Sequence, residues 1–243
     1  MPLKTEHKRN EEIAIELSTR IDNANTSINN GQSVENKIDR ELDNKVAYEY
    51  AQETNTWIDD LYLLGSGFIG GNENTNAVNE SEQKIYKSNN LMNTLSLRNF
   101  LLKIKLHNFL FTDTHYEFVG FTGLKKIGAG RYYVEPIYKQ DFIIDAEFAT
   151  PEEINNYMTQ LGFEQASEFK FKKGTIEVYD LRPRNVLKDK NGDIFIIDAE
   201  FKTLNETVMA EIVHYLNPFH KESTKRKIKA IQEMKKKSMN YEH

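Results

Sequence analysis

The run Asp180-Leu181-Arg182-Pro183-Arg184-Asn185, followed by Val186-Leu187-Lys188-Asp189-Lys190-Asn191-Gly192-Asp193-Ile194-Phe195-Ile196-Ile197-Asp198, is the most informative segment of the chain. Asn191-Gly192 lies between two apolar runs and is the strongest short-range signal for a β-hairpin, because a type I′ turn needs positive φ at both central residues. A turn centred on 191–192 sets Asn185 opposite Asp198. Counted outward from the turn, the pair is non-hydrogen-bonded, with Cβ atoms about 4.5–5.5 Å apart on one face. An amide oxygen and a carboxylate held that close can share one hard cation such as Mg2+, whose oxygen ligands stand at about 2.0–2.1 Å. Asp180 lies on the turn feeding this strand, and Pro183 keeps that connection out of a regular helix or ladder.

Upstream, Leu61-Tyr62-Leu63-Leu64 reads as a short strand entering Gly65-Ser66-Gly67-Phe68-Ile69-Gly70-Gly71, and Ile85-Tyr86-Lys87 as another. Lys87 stands two residues after Ile85, so both side chains point to one strand face, which favours an inward lysine; alone it would read as a surface lysine, and Lys84 is the weaker substitute. Residues 95–110 are apolar around much of a helix and so predict a buried one. Residues 115–122 and 131–138 alternate as strands about Gly128-Ala129-Gly130. Thr150-Pro151-Glu152-Glu153 carries a capping box with Pro at the first helical position, predicting a helix from there to Leu161 that stops at Gly162. Strands return at 169–179 and 186–198, and the last 37 residues or so read as helical. Phe-Ile-Ile-Asp-Ala-Glu-Phe occurs at 142–148 and at 195–201; one match of this length does not make a repeat architecture, and only the second copy is given a role.

This order predicts an α+β fold. Asp180-Leu181 with Asn185 four positions on resembles the catalytic loop of protein kinases, and Asp198 falls where that family places the metal-binding Asp of its Asp-Phe-Gly motif. Gly65, Gly67 and Gly70 resemble its glycine-rich loop, and Lys87 its phosphate-pairing lysine. More narrowly, Leu106-His107-Asn108-Phe109-Leu110-Phe111, Tyr116-x-x-x-Gly120-Phe121 and Val178-Tyr179-Asp180 look like the compact kinase-like domain of polyvalent proteins carried by phages and conjugative elements, over roughly residues 57–205. The resemblance implies two lobes with a reduced C-terminal lobe, and a phosphotransferase using ATP and Mg2+ on a protein Ser, Thr or Tyr; the cytoplasm is the default compartment, since no leader or membrane span is expected. It implies Asp180 as catalytic acceptor of the hydroxyl proton and Asn185 and Asp198 as metal ligands. Lys87 would pair with the α- and β-phosphates under the Gly65–Gly70 loop, and adenine would lie against the inter-lobe connection near Glu135-Pro136-Ile137, with Glu135 and Ile137 as contacts. The domains follow as a helical arm over 1–55, a kinase-like domain over 56–220 (lobes about 57–134 and 135–220) and a basic helical tail over 221–243.

Departures motivate other readings. Val178-Tyr179 replaces the usual His-Arg, Asp198-Ala199-Glu200 replaces Asp-Phe-Gly, no Ala-Pro-Glu follows, and helix 95–110 holds no Glu for Lys87, leaving Glu82 or Glu117 as partners. A catalytically inactive nucleotide- or partner-binding module and a kinase fold with a non-protein acceptor, or one transferring nucleotide, stand as alternatives.

The net charge of −5 gives no general reason to expect nucleic-acid binding, and the absence of cysteine excludes disulfides and Cys-ligated zinc. Neither a leader nor a membrane span is expected. In the arm, Ile13, Ile15 and Leu17 form one apolar group and Ile38, Leu42, Val46 and Tyr50 a clearer stripe, with a loop at 24–33 between. The tail from Lys221 to Lys237 carries eight basic and two acidic residues. It reads as the solvated end of a helix rather than a nucleic-acid contact. His107 reads as a core histidine bonded to backbone rather than a ligand.

Overall fold

The computed structural model describes residues 3–28, 40–70, 73–94, 96–127 and 131–202. The basic tail, the C-terminal helix, Ile38 and the Gly128-Ala129-Gly130 turn lie outside these. Helices α1 (Leu3–Ile28) and α2 (Arg40–Glu53) come first. Three strands follow, β1 (Ser66–Gly70), β2 (Asn74–Asn79) and β3 (Lys84–Asn89), then helix α3 (Leu97–Leu110) and strands β4 (Glu117–Ile127) and β5 (Arg131–Asp141). These five strands make an antiparallel sheet in the order β1-β2-β3-β5-β4. After β6 (Glu147–Phe148) and helix α4 (Pro151–Gln160) come β7 (Glu164–Ser167), β8 (Lys170–Lys173), β9 (Ile176–Tyr179), β10 (Val186–Lys188), β11 (Ile194–Ile196) and β12 (Glu200–Lys202). They form two small sheets, β11-β10-β6 and β12-β9-β8-β7. Helix and antiparallel sheet alternate in blocks, which is the α+β class.

Helix α3 joins two cores. Its Leu97, Phe100, Leu101 and Ile104 pack with Leu17, Ile21, Val46 and Tyr50 of α1 and α2 and with Phe121 and Tyr138 of the large sheet. Its Leu106 enters the other core with Met158 of α4, with Phe171, Val178 and Ile196 of the small sheets and with Leu181 of the connection after β9. A helix packed on two sides must be apolar around much of its girth, and Leu97, Phe100, Leu101, Ile104 and Leu106 supply that. Ser96 caps it, accepting from the Asn99 N–H at 3.1 Å. The α4 capping box forms as expected, and Gly162 at φ +80 lies just beyond the helix.

The structure corrects four local expectations. Leu61–Leu63 is a 3₁₀ turn rather than a strand, because Asp60 accepts from the Tyr62 N–H and leaves only Leu61 buried. Ile15 is exposed; the buried α1 stripe is Leu17 and Ile21, and α1 continues as far as Ile28 into the expected loop. A division at 134/135 falls inside β5, which continues to Asp141.

The fourth concerns the register of the hairpin. Val186 pairs with Ile196, Leu187 with Phe195 and Lys188 with Ile194, so the loop is Asp189–Asp193 rather than a two-residue turn. Only Gly192 within it takes positive φ, at +83. The Asp189 carboxylate accepts from the Asn191 and Asp193 N–H groups, each at 2.9 Å. That side-chain turn takes over the chain reversal and shifts the pairing by one residue. Asn185 therefore faces Ile197, whose N–H donates to the Asn185 carbonyl at 3.0 Å, and Asp198 lies one step beyond.

Candidate active site

Lys87 sits on β3, flanked by Asn76 of β2 and Tyr138 of β5 on the sheet face that α3 covers. Its ammonium is buried and donates to the Ile197 carbonyl at 2.9 Å and to the Tyr116 hydroxyl at 3.4 Å. The Tyr116 hydroxyl donates to the same carbonyl at 2.7 Å. Burial lowers the Lys87 pKa to about 8, against the pull of Asp198 and with the help of the neighbouring charge of Lys103. Lys87 meets neither suggested carboxylate: Glu82 accepts from the Tyr86 hydroxyl, and Glu117 pairs with Lys84 and Lys139. Lys84, bound also to Asp141, is no substitute.

Asp180 takes φ +58, costly outside glycine, and follows β9 directly. Its carboxylate accepts from Arg182 at 3.0 Å, from Arg184 at 3.4 Å and from the Asn185 amide at 2.9 Å. That amide also donates to the Asp180 carbonyl at 2.7 Å. Two ladders bring Asp198 to this pair. β9 and β12 match Tyr179 with Glu200, so Asp180 and Asp198 flank the same end of that sheet, while the Ile197–Asn185 bond closes the other side. Asn185 and Asp198 thus approach through neighbouring residues rather than face to face.

Asp198 is half-buried and loosely held. One oxygen accepts from the Asn74 amide at 3.4 Å, and the other lies 3.9 Å from the Lys103 ammonium. Lys103, on α3, forms its close ion pair with Glu200. Burial lowers the Lys103 pKa, but Asp198 and Glu200 outweigh it and the net shift is upward. Burial raises that of Glu200. Asn74, Lys87, Asn89, Lys103, Tyr116 and Asp198 line a cavity of about 20 Å³, room for one water molecule.

Residues 40–205 match the family described as Serine/Threonine/Tyrosine Kinase found in polyvalent proteins. The chain belongs to this kinase family. No curated protein matches the chain, and no solved structure does. The family match starts at residue 40 and so takes in α2, earlier than the resemblance near 57 suggested.

Within this kinase domain the other expected residues are distributed unevenly. Gly67 and Gly70 lie in β1, at the sheet edge, rather than in a loop before it; Ile69, Asn76 and Lys87 form one row across the sheet. β1 is therefore two strand spacings, about 10 Å, from β3. Gly65 allows β2 to pass close: a Cβ there would lie 2.5 Å from the Val78 carbonyl oxygen. Glu135 and Ile137 are not brought to the site. Ile137 is fully buried with Ala77 and Tyr86 on the opposite face, paired on both sides with Ser88 and Gly120, and Glu135 accepts from the Ser88 hydroxyl at 2.7 Å. The interior strand uses the main-chain groups that a nucleotide base would need.

The sequence reading missed Asn74, Asn89, Lys103 and Tyr116. The available signal for Lys103 was a lysine set between Phe100-Leu101-Leu102 and Ile104 in a helix expected to be buried, since a buried ammonium demands an acidic partner. His107 is a core histidine as read: it is buried, with Nε2 3.0 Å from the Thr114 carbonyl. Among the described residues no helix is long and apolar enough to cross a membrane, and no three His, Asp or Glu side chains cluster as a metal cage. The pair Asn185 and Asp198 still suits Mg2+ shared with phosphate oxygens. The Asn185 nitrogen is taken by Asp180, leaving its oxygen as the ligand atom, and the long contacts of Asp198 leave its carboxylate unsaturated.

Proposed function

We propose that the domain is an ATP- and Mg2+-dependent phosphotransferase acting on a protein hydroxyl, built as two lobes divided after Asp141. The large sheet with α3 would form one lobe and the two small sheets with α4 the other, with α1 as an added arm. The observation that carries this reading is the Lys87–Ile197 bond at 2.9 Å, which ties the phosphate-pairing lysine of β3 to the residue beside Asp198. It joins segments 110 residues apart. The Asp180–Asn185 contact completes the group.

In this reading Lys87 binds the α- and β-phosphates, leaving the Ile197 carbonyl to Tyr116. Asn185 and Asp198 would hold Mg2+, which when bound neutralises charge on the transferring phosphoryl group. Asp180, oriented by Asn185 and Arg182, accepts the proton of the attacking hydroxyl. The base would lie by the connection 142–146 instead of by Glu135 and Ile137, since that segment follows β5 and bridges the two sheet systems. The test is transfer of γ-labelled phosphate from MgATP to a generic protein acceptor or to the chain itself. Asp180→Asn should abolish transfer while MgATP binding survives, and undiminished transfer by that variant refutes the assignment. Placing label separately on the α- and γ-phosphates separates phosphate from nucleotide transfer.

One observation favours the inactive-module reading: the Lys87 ammonium is met by a carbonyl instead of a carboxylate, and α3 offers it the like charge of Lys103. A rise in melting temperature with MgATP, without label transfer to any acceptor, would decide for it.

A further inference from the structure

The ion pair between α3 and β12 is not accounted for by the assigned roles. Lys103 is nearly fully enclosed and is the one cation within 4.0 Å of Asp198 among the described residues. Its main partner, Glu200, lies two positions after Asp198 on the same chain segment. A buried ion pair contributes little net stability compared with apolar side chains of similar volume, so a lysine on the buried face of α3 calls for a role in geometry. α3 is packed into both cores and so offers a firm anchor. Among the described residues, the Asp198 carboxylate is otherwise restrained only by a 3.4 Å bond from Asn74.

We propose that Lys103 is a positioning residue for phosphate transfer: paired with Glu200, it fixes the Asp198 segment to α3 and sets the carboxylate's orientation toward Mg2+. The charge arrangement is reversed from a helix acid meeting the β3 lysine. Here the helix supplies the cation and the Asp198 segment supplies the anion. Lys87 is thereby left without a carboxylate of its own, free to exchange a carbonyl for a phosphate. This inference rests on the phosphotransferase reading above.

The experiment measures label transfer and nucleotide binding against Mg2+ concentration for the full chain, using ATP and a fluorescent ATP analogue. Lys103→Met should raise the Mg2+ concentration at half-maximal activity about tenfold or more and lower kcat, while analogue binding without Mg2+ stays unchanged. Lys103→Arg should restore most of the loss. Lys103→Met combined with Glu200→Gln should cost no more than Lys103→Met alone, because the two act as a unit. An unaltered Mg2+ dependence in Lys103→Met, with only the melting temperature changed, overturns the proposal and leaves the phosphotransferase reading standing. Should Lys103→Met fail to fold, Glu200→Gln poses the same question from the other partner: an unshifted Mg2+ dependence there overturns it equally. A wild-type chain that neither binds MgATP nor transfers label removes the underlying reading, and this proposal with it.

Discussion

Replacing Lys87 by Met should weaken MgATP binding and stabilise the fold. Burial lowers the Lys87 pKa from 10.5 to about 8. At about 1.4 kcal/mol per pH unit, holding that ammonium charged in the folded protein costs about 3 kcal/mol near neutral pH, with the attraction of Asp198 already included. Met keeps the apolar stem of lysine and removes the charge. The Ile197 carbonyl is not orphaned, since the Tyr116 hydroxyl still donates to it at 2.7 Å. Lys87→Met should therefore gain about 1–3 kcal/mol at pH 7 in urea unfolding, the lower figure allowing for the lost hydrogen bond. The sign of the pH dependence is fixed. Between pH 8 and 10.5 the unfolded chain holds the Lys87 proton and the folded chain does not, so raising the pH through that window stabilises wild type relative to the variant. The gap between them should close by about pH 10.5. The same titration predicts that MgATP binding weakens above about pH 8 in wild type. A variant less stable than wild type at pH 7, or with the same pH profile, would refute the reasoning.

Acid should destabilise the domain through His107, whose pKa burial lowers from 6.5 to about 3. Its contribution is intact above pH 6.5 and is lost as the pH falls toward 3, so unfolding at pH 5 should be easier by about 2 kcal/mol than at pH 6.5. His107→Gln should flatten that dependence, and an unchanged acid profile in the variant would count against it. Gly120→Ala should destabilise by about 3 kcal/mol or more, read from the urea midpoint, because the added Cβ would lie 2.1 Å from the Thr56 main-chain oxygen and force apart the Thr56–Phe121 hydrogen bond. A midpoint within error of wild type would mean that residues 56–58 can shift at no cost.

Local chemistry carries its own instructions, and those parts of the protein were legible in the sequence. Thr150-Pro151-Glu152-Glu153 writes a helix start into adjacent residues, and Leu97–Leu110 announces burial through its apolar girth. The spacing of Asp180, Asn185 and Asp198 was sufficient to mark them as near neighbours, because the turn that carries Asp180 and the hairpin after it are consecutive in the chain. The hairpin register was not legible. Asn191-Gly192 is a valid turn signal, but the Asp189 carboxylate bonded two main-chain N–H groups and outcompeted it, a contest between similar energies that pattern alone does not decide.

Contacts across distant segments belonged to the tertiary structure. Asp198 stands near Asp180 because β12 pairs with β9, not because a tight turn places it opposite Asn185. Glu135 and Ile137 lie within the large sheet, away from the Lys87–Asp198 group, because a strand's position inside a sheet depends on which neighbours it acquires. Nothing near Lys103 in the sequence marks Glu200, 97 residues away, as its partner. Sequence fixes what each segment can form by itself. Which charges meet in the interior is set by packing, because the cost of burying a charge is met only by a partner that the folded chain delivers.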